Sequence, residues 1–179
     1  MRLTQFTDYA LRTLMYLGTH RERLISVDEV SRVYDVSRNH LVKVVQKLVE
    51  LRTIEALRGR RGGMRLIADP NELRVGWLVQ RTEPDFAMAG CFHDDGRAAC
   101  PIAEVCRLTA ALTEATNRFI EALDRYTVAD LLSPRDELIE LWNRQRILTR
   151  AAGGPTGEGA AMPTDPLAET VADEVAMGT

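Results

Sequence analysis

Between Ser26 and Leu51 the chain encodes two short amphipathic helices with almost nothing between them, and no other stretch constrains the fold as tightly. Ser26-Val-Asp-Glu29 has the S-x-x-E pattern of a capping box, in which the serine and glutamate side chains satisfy backbone groups at a helix start. Val27, Val30 and Val33 give this helix an apolar stripe, and it ends near Tyr34. Asp35-Val36 is a tight connection. Ser37 is a good N-cap for the next helix, whose buried side carries Leu41, Val44, Val45, Leu48 and Leu51. Two helices joined by a turn of a few residues form a helix-turn-helix.

The flanking segments extend the unit. Phe6, Ala10, Leu14 and Leu17 recur at helical spacing and predict an amphipathic helix over about 5–20. After the helix pair, Ile54–Leu57 and Met64–Ile67 read as short strands around Arg58-Gly59-Arg60-Arg61-Gly62-Gly63. Glycine supplies the positive φ a hairpin needs, and the arginines project from it, so the hairpin is a wing on the helix-turn-helix. Asp69-Pro70 starts a further helix from Asn71 to about Arg81. The expected architecture is mainly α, with a winged helix-turn-helix domain over residues 1–82 and a two-stranded wing.

The net charge of −3 conceals an asymmetry: residues 1–65 carry 13 Lys and Arg against 7 Asp and Glu, while residues 66–179 carry 10 against 19. A basic N-terminal third suits a polyanion. A recognition helix needs small or polar residues at its exposed N-terminal end, and Ser37, Arg38, Asn39, His40 and Lys43 supply them, with Lys47 further along. Such side chains donate to phosphates or base edges. Arg58, Arg60 and Arg61 on the wing suit an adjacent minor groove, where negative potential favours arginine. Helix pair, wing and local positive charge coincide, so the expected partner is double-stranded DNA. His40 is read as a polar contact of this face rather than a metal ligand.

All three cysteines fall in one segment, CFHDDGRAACPIAEVC, at Cys91, Cys100 and Cys106. The N-terminus lacks a signal peptide's apolar centre, since Asp8 and Arg12 interrupt it, and no apolar run is long enough to span a membrane. The expected compartment is the cytoplasm, where gathered thiols act as ligands or catalysts rather than disulfides. Thiolates bind zinc, copper(I) or the iron of iron–sulfur clusters. Zinc sites usually show paired C-x2–4-C knuckles, which are missing here, so a zinc-stabilised regulator is the lesser alternative. Clusters commonly use four ligands, leaving one position for His93, Asp94, Asp95, a residue elsewhere or a small molecule. There is no C-x-x-C pair, P-loop or G-x-G-x-x-G fingerprint, and the chain is not expected to be an enzyme.

Four separated segments, LTQFTDYALRTLMYL, LRGRRGGMRL, CPIAEVCRL and LDRYTVADLL, resemble the nitric-oxide-sensitive NsrR repressors. These belong with IscR in a family of dimeric winged-helix regulators, many of which carry iron–sulfur clusters. The similarity covers about residues 1–148. It implies that Cys91, Cys100 and Cys106 ligate a 4Fe-4S cluster (a 2Fe-2S cluster being the variant), with Asp8 of the FTDY segment contributed by the other subunit as fourth ligand and His93 as its alternative. It also implies a homodimeric repressor of nitrosative-stress functions that leaves its operator when nitric oxide attacks the cluster. A relative that senses iron–sulfur or redox status is the neighbouring reading. IscR-type members follow the last cysteine with a histidine ligand, whereas Arg107 stands there in this chain, which favours the NsrR type.

The remaining chain divides into a cluster-binding loop (83–100), a dimerisation helix with C-terminal helices (101–149) and an acidic tail (150–179). Pro101 suits the first turn of a long helix, along which Ile102, Val105, Leu108, Leu112, Ala115, Phe119 and Leu123 trace a stripe. That stripe fits an intersubunit helix pair and an intramolecular core alike. Thr127 and Ser133-Pro134 begin two further helices, the second reaching about Leu148. From Ala151 onward the chain has five acids, no Lys or Arg and no aromatic residue, a composition expected to be disordered.

Overall fold

Three helices and a hairpin wrap one apolar core in the computed structural model, which describes residues 2–59 and 62–151. Helix α1 (Gln5–Thr19) is capped by the Thr4 hydroxyl, which accepts from the Thr7 N–H. Helix α2 (Val27–Tyr34) starts at the Ser26 cap, whose hydroxyl accepts from the Glu29 N–H at 3.1 Å. It stops at Asp35, which takes a left-handed conformation with φ +52° and lets the chain turn into α3 (Arg38–Glu50). Short polar side chains tolerate that region better than branched ones.

Strands β1 (Ile54–Leu57) and β2 (Gly63–Leu66) pair antiparallel, with Ile54 opposite Leu66 and Leu57 opposite Gly63. Gly59 has φ +109°, the positive value expected of the wing's glycine. The inner face of the hairpin supplies Ile54, Met64 and Leu66 to a core shared with Ala10, Leu14, Leu17, Val30, Val33, Leu41, Val44 and Leu48. An isolated bridge between Ile25 and Met64 adds the segment before α2 to the wing. The helical positions among these were expected from their spacing, and Ile54, Met64 and Leu66 fall in the two runs read as strands, whereas Ile25 was not expected.

Helix α4 covers Val75–Thr82, so its first turn lies beyond the expected start at Asn71. Residues around Arg74 are extended instead. Val128 N–H donates to Leu73 O, Val75 N–H donates to Tyr126 O, and Arg74 bridges to Thr127. A helix pattern in the sequence yielded to pairing with a segment some fifty residues away.

A single 3-10 turn at Gly90–Phe92 and the short helix α5 (Asp94–Ala99) follow. Helix α6 spans Leu108–Leu123 and begins later than Pro101. Residues 101–105 form one separate turn, closed by Cys106 N–H donating to Ile102 O, and the Leu108 N–H turns to the Cys106 thiol rather than a helical carbonyl. Ile102 and Val105 therefore belong to the loop and not to the helix stripe. Helix α7 (Val128–Leu131) carries a reciprocal capping box between Thr127 and Asp130, and α8 (Arg135–Ala151) ends the described chain. The expected tail lies outside the described residues apart from its first two positions, which belong to α8.

Candidate functional site

The apolar side of α3 is buried through Leu41, Val44, Val45 and Leu48, which turns its opposite side outward. Ser37, Arg38, Asn39, His40 and Lys43 are all exposed on that side, as is Arg58 on the wing. Arg60 and Arg61 lie outside the described residues. Ser37 occupies the N-cap position, yet its hydroxyl makes no capping bond. The first N–H groups of α3 are thus left without a side-chain acceptor, the arrangement in which a helix start receives a phosphate oxygen.

Two neighbours of this face were not expected from sequence. Arg38 Nε donates to Asp28 Oδ1 at 2.7 Å, and both side chains are about 60% exposed. An exposed pair of this kind is worth about 0–1 kcal/mol, so a phosphate can compete for the guanidinium. His40 stacks on Tyr9 of α1, with ring centroids 6.5 Å apart and planes inclined by 28°. Neither partner carries a sequence signal, because both contacts join elements through tertiary packing.

Cys91, Cys100 and Cys106 are free and half-buried. Cys91 Sγ lies 3.4 Å from Thr109 Oγ1 of α6, and Leu108 N–H donates to Cys106 Sγ at 3.4 Å. Hydroxyl and amide groups aimed at sulfur are the surroundings that stabilise thiolates bound to iron. A cleft at His93 is lined by Phe86, Phe92, Thr113 and Thr116, and none of the three cysteines lines it. His93 is exposed.

The donors fit a metal–sulfur group in chemistry but do not converge. Among the described residues no three His, Cys, Asp or Glu side chains gather at one point. The reason is local: none of the described side chains from 84 to 107 is buried, so no core fixes the loop. Asp8 is on α1, where its carboxylate accepts from Arg12 Nε at 2.8 Å. Its helix is nevertheless tied to the root of the cysteine segment. Glu83 accepts from both the N–H and the hydroxyl of Thr4, at 2.9 and 3.0 Å, and Thr7 Oγ1 donates to Thr82 Oγ1 at 2.9 Å.

At the far end of α4, Asp124 at the close of α6 accepts from the Trp77 N–H at 2.7 Å and caps α4, which has no side-chain cap of its own. Gly76 permits the approach, since a Cβ there would lie 2.4 Å from Asp124 Oδ1. Helix α4 is thereby held at one end by α6 and at the other by the start of α1.

An exposed, basic second helix of a helix-turn-helix, a wing beside it and a separate thiol-bearing loop define a winged-helix DNA-binding regulator. Residues 3–134 match the family model described as Rrf2, iron-dependent transcriptional regulator, and the chain belongs to that family. It is 39% identical over 142 residues to the HTH-type transcriptional regulator NsrR of Bacillus subtilis, covering 79% of this chain and 97% of that protein. The NsrR of Halalkalibacterium halodurans is 41% identical over 139 residues, covering 77% and 94%. Among solved structures, T. potens IscR superposes with TM-score 0.60 at 18% identity over 77% of this chain and 90% of that one. The oxidized form of Staphylococcus aureus CymR gives 0.59 at 18% identity over 74% and 97%. The chain is therefore a transcriptional regulator and not an enzyme. No helix among the described residues is long and apolar enough to cross a membrane.

Proposed function

We propose that this regulator represses transcription in the cytoplasm as a homodimer and releases operator DNA in response to nitric oxide. The reading rests on its resemblance to the NsrR group and on one observation above all: three free, half-buried thiols on a segment bounded by α4 and α6. Cys91, Cys100 and Cys106 would hold an iron–sulfur cluster, most simply 4Fe-4S, and Asp8 of the partner subunit would complete it. When bound, such a group supplies an iron at which nitric oxide reacts. A carboxylate is a harder and weaker partner for that iron than a thiolate, so Asp8 is the ligand most easily surrendered.

The chain's own contacts support a path from that event to DNA. Asp8 is next to Tyr9, whose ring packs on His40 of the reading helix. Thr4 and Thr7, at the start of the same helix, bind the end of α4 where the cysteine segment begins. Movement of either the loop or Asp8 therefore loads α1, and α1 loads α3. A coupling of about 1–3 kcal/mol between the two sites changes DNA affinity by roughly 5–150-fold.

Dimerisation is assigned to α6. Among its described residues only Thr116 is buried, while Leu108 is 55% exposed and Leu112, Phe119 and Leu123 are half-covered. A second copy of this helix would bury that stripe and set the two reading helices about one DNA turn apart, roughly 10–10.5 base pairs. The test is iron and sulfide content of protein purified without oxygen. Cys91→Ala, Cys100→Ala and Cys106→Ala should each lose iron while remaining folded. Retention of full iron and sulfide by all three variants contradicts the assignment, and stoichiometric zinc in the wild type selects the zinc-stabilised alternative.

A further inference from the structure

The last described helix lies against the DNA-reading unit rather than the cysteine segment. Helix α8 packs on α2, the first helix of the helix-turn-helix. Its inward side carries Leu138 and Trp142, four residues apart, while Arg135 at its start is exposed. Trp142 is 8% exposed and belongs to the same apolar core as Val30, Val33 and Leu41. Its indole meets Tyr16 of α1 edge-on at 5.2 Å and Tyr34 of α2 edge-on at 6.2 Å, and lies 6.2 Å from His20. Tyr16 and Tyr34 meet one another at 6.3 Å, also edge-on. At the root of α8, Arg135 donates to the carbonyl of Thr19 at 2.6 Å.

Helix α2 needs such support. It has eight residues, of which Val30 and Val33 are buried, and a helix of two turns is not stable alone. Helix α3 covers one side of it. Tyr34, its last residue, faces the aromatic cluster and immediately precedes the left-handed turn at Asp35. The angle at which α3 leaves that turn is thus set on one side by the aromatic group that Trp142 completes.

We propose that Trp142 is a positioning residue for DNA recognition: it makes α8 a working part of the reading unit by fixing α2, and through the Asp35 turn the exposed start of α3. The proposal rests on α2 and α3 being the DNA-reading pair. It does not require any metal group. The side chain reaches the core from a helix outside the 1–82 segment, so removal of α8 would unsettle DNA binding without touching a DNA-facing residue.

The experiment uses the full chain and a duplex selected from a random-sequence pool by the wild-type protein. Binding is measured by fluorescence anisotropy at a temperature where circular dichroism shows the variants folded. Backbone hydrogen exchange is followed in peptides of α2 and α4. Trp142→Ala should weaken binding to the selected duplex by about tenfold or more, because both edge-on ring pairs that brace α1 and α2 vanish with the indole. Exchange should rise in α2 but not in α4. Trp142→Phe, which keeps an aromatic edge for Tyr16 and Tyr34, should restore most of the affinity. Wild-type affinity in folded Trp142→Ala, or unchanged exchange in α2, overturns the proposal. If Trp142→Ala does not fold, Trp142→Leu, which keeps apolar volume but removes both edge-on ring contacts, carries the test, and wild-type affinity or wild-type α2 exchange in it overturns the proposal. An Arg38→Ala, Lys43→Ala double variant separates the premises: if it binds like wild type, the assignment of α3 as reading helix fails instead.

Discussion

Arg38 opens α3, the proposed reading helix, with its guanidinium bonded to Asp28 of the preceding helix, Nε to Oδ1 at 2.7 Å. The carboxylate neutralises a cation that the proposed role of α3 would offer to DNA, and it does so on a solvent-facing surface where the pair is easily exchanged. Asp28→Asn should therefore strengthen DNA binding by a few fold at low salt. It should also steepen the dependence of log affinity on log salt, by up to about one unit if Arg38 gains a phosphate. Anisotropy titrations across a salt series check both effects, and Arg38→Ala should shift the slope in the opposite direction.

The Asp124 cap joins the end of α6 to the start of α4. Asp124→Ala should cost about 0.5–2 kcal/mol of stability, the usual range for removal of an N-cap acceptor. Asp124→Asn, which keeps an acceptor oxygen, should cost less. Gly76→Ala should destabilise by about 1–3 kcal/mol, because its methyl would press on Asp124 and on the Ile120 carbonyl. Urea unfolding of the single and double variants should give a double-variant loss smaller than the sum, since both changes disturb one contact.

Asp8 and Arg12 form an ordinary exposed i,i+4 pair. Asp8→Ala should change thermal stability little, consistent with about 0.2–0.5 kcal/mol for such pairs. If Asp8 is the fourth ligand of the partner's cluster, the same substitution should alter the visible spectrum of anaerobically prepared protein. An unchanged spectrum and unchanged response to nitric oxide would exclude it and leave His93 as the candidate.

Much of the reading unit was legible in the sequence. The Ser26 capping box, the apolar repeat from Leu41 to Leu48 and the Gly59 turn are local signals, and local physics decided them. The misplaced starts of α4 and α6 have non-local or loop causes: strand-like pairing of Arg74 with Thr127, and diversion of the Leu108 N–H to the Cys106 sulfur. The cysteines announced a thiol site by clustering in sequence. Their failure to converge was invisible there, because nothing in the pattern revealed that the loop around them lacks buried residues. Trp142 was hidden for a similar reason, since a lone tryptophan in a polar helix does not name its partners.

Acid should weaken the α7 corner. The N–H and hydroxyl of Thr127 both donate to Asp130 Oδ2, at 2.7 and 2.8 Å, and hold its carboxyl below the usual range. Its folded value lies below the unfolded value of about 3.9, so the stabilisation is complete above that pH and lost as pH falls through the depressed value. Asp130→Asn should therefore remove part of the stability difference between neutral and strongly acidic solution, as read from urea midpoints at both ends of the range.

Control of DNA affinity by nitric oxide, acting at a cluster held by the three cysteines, is open to a decisive experiment. Anaerobically purified, iron-loaded protein bound to its selected duplex is titrated stepwise with nitric oxide, with absorbance and anisotropy recorded together. The expected result is loss of the cluster absorbance in step with release of DNA, whereas Cys100→Ala should bind the duplex weakly from the outset and not respond to nitric oxide. Full retention of the duplex while the absorbance is bleached would contradict it.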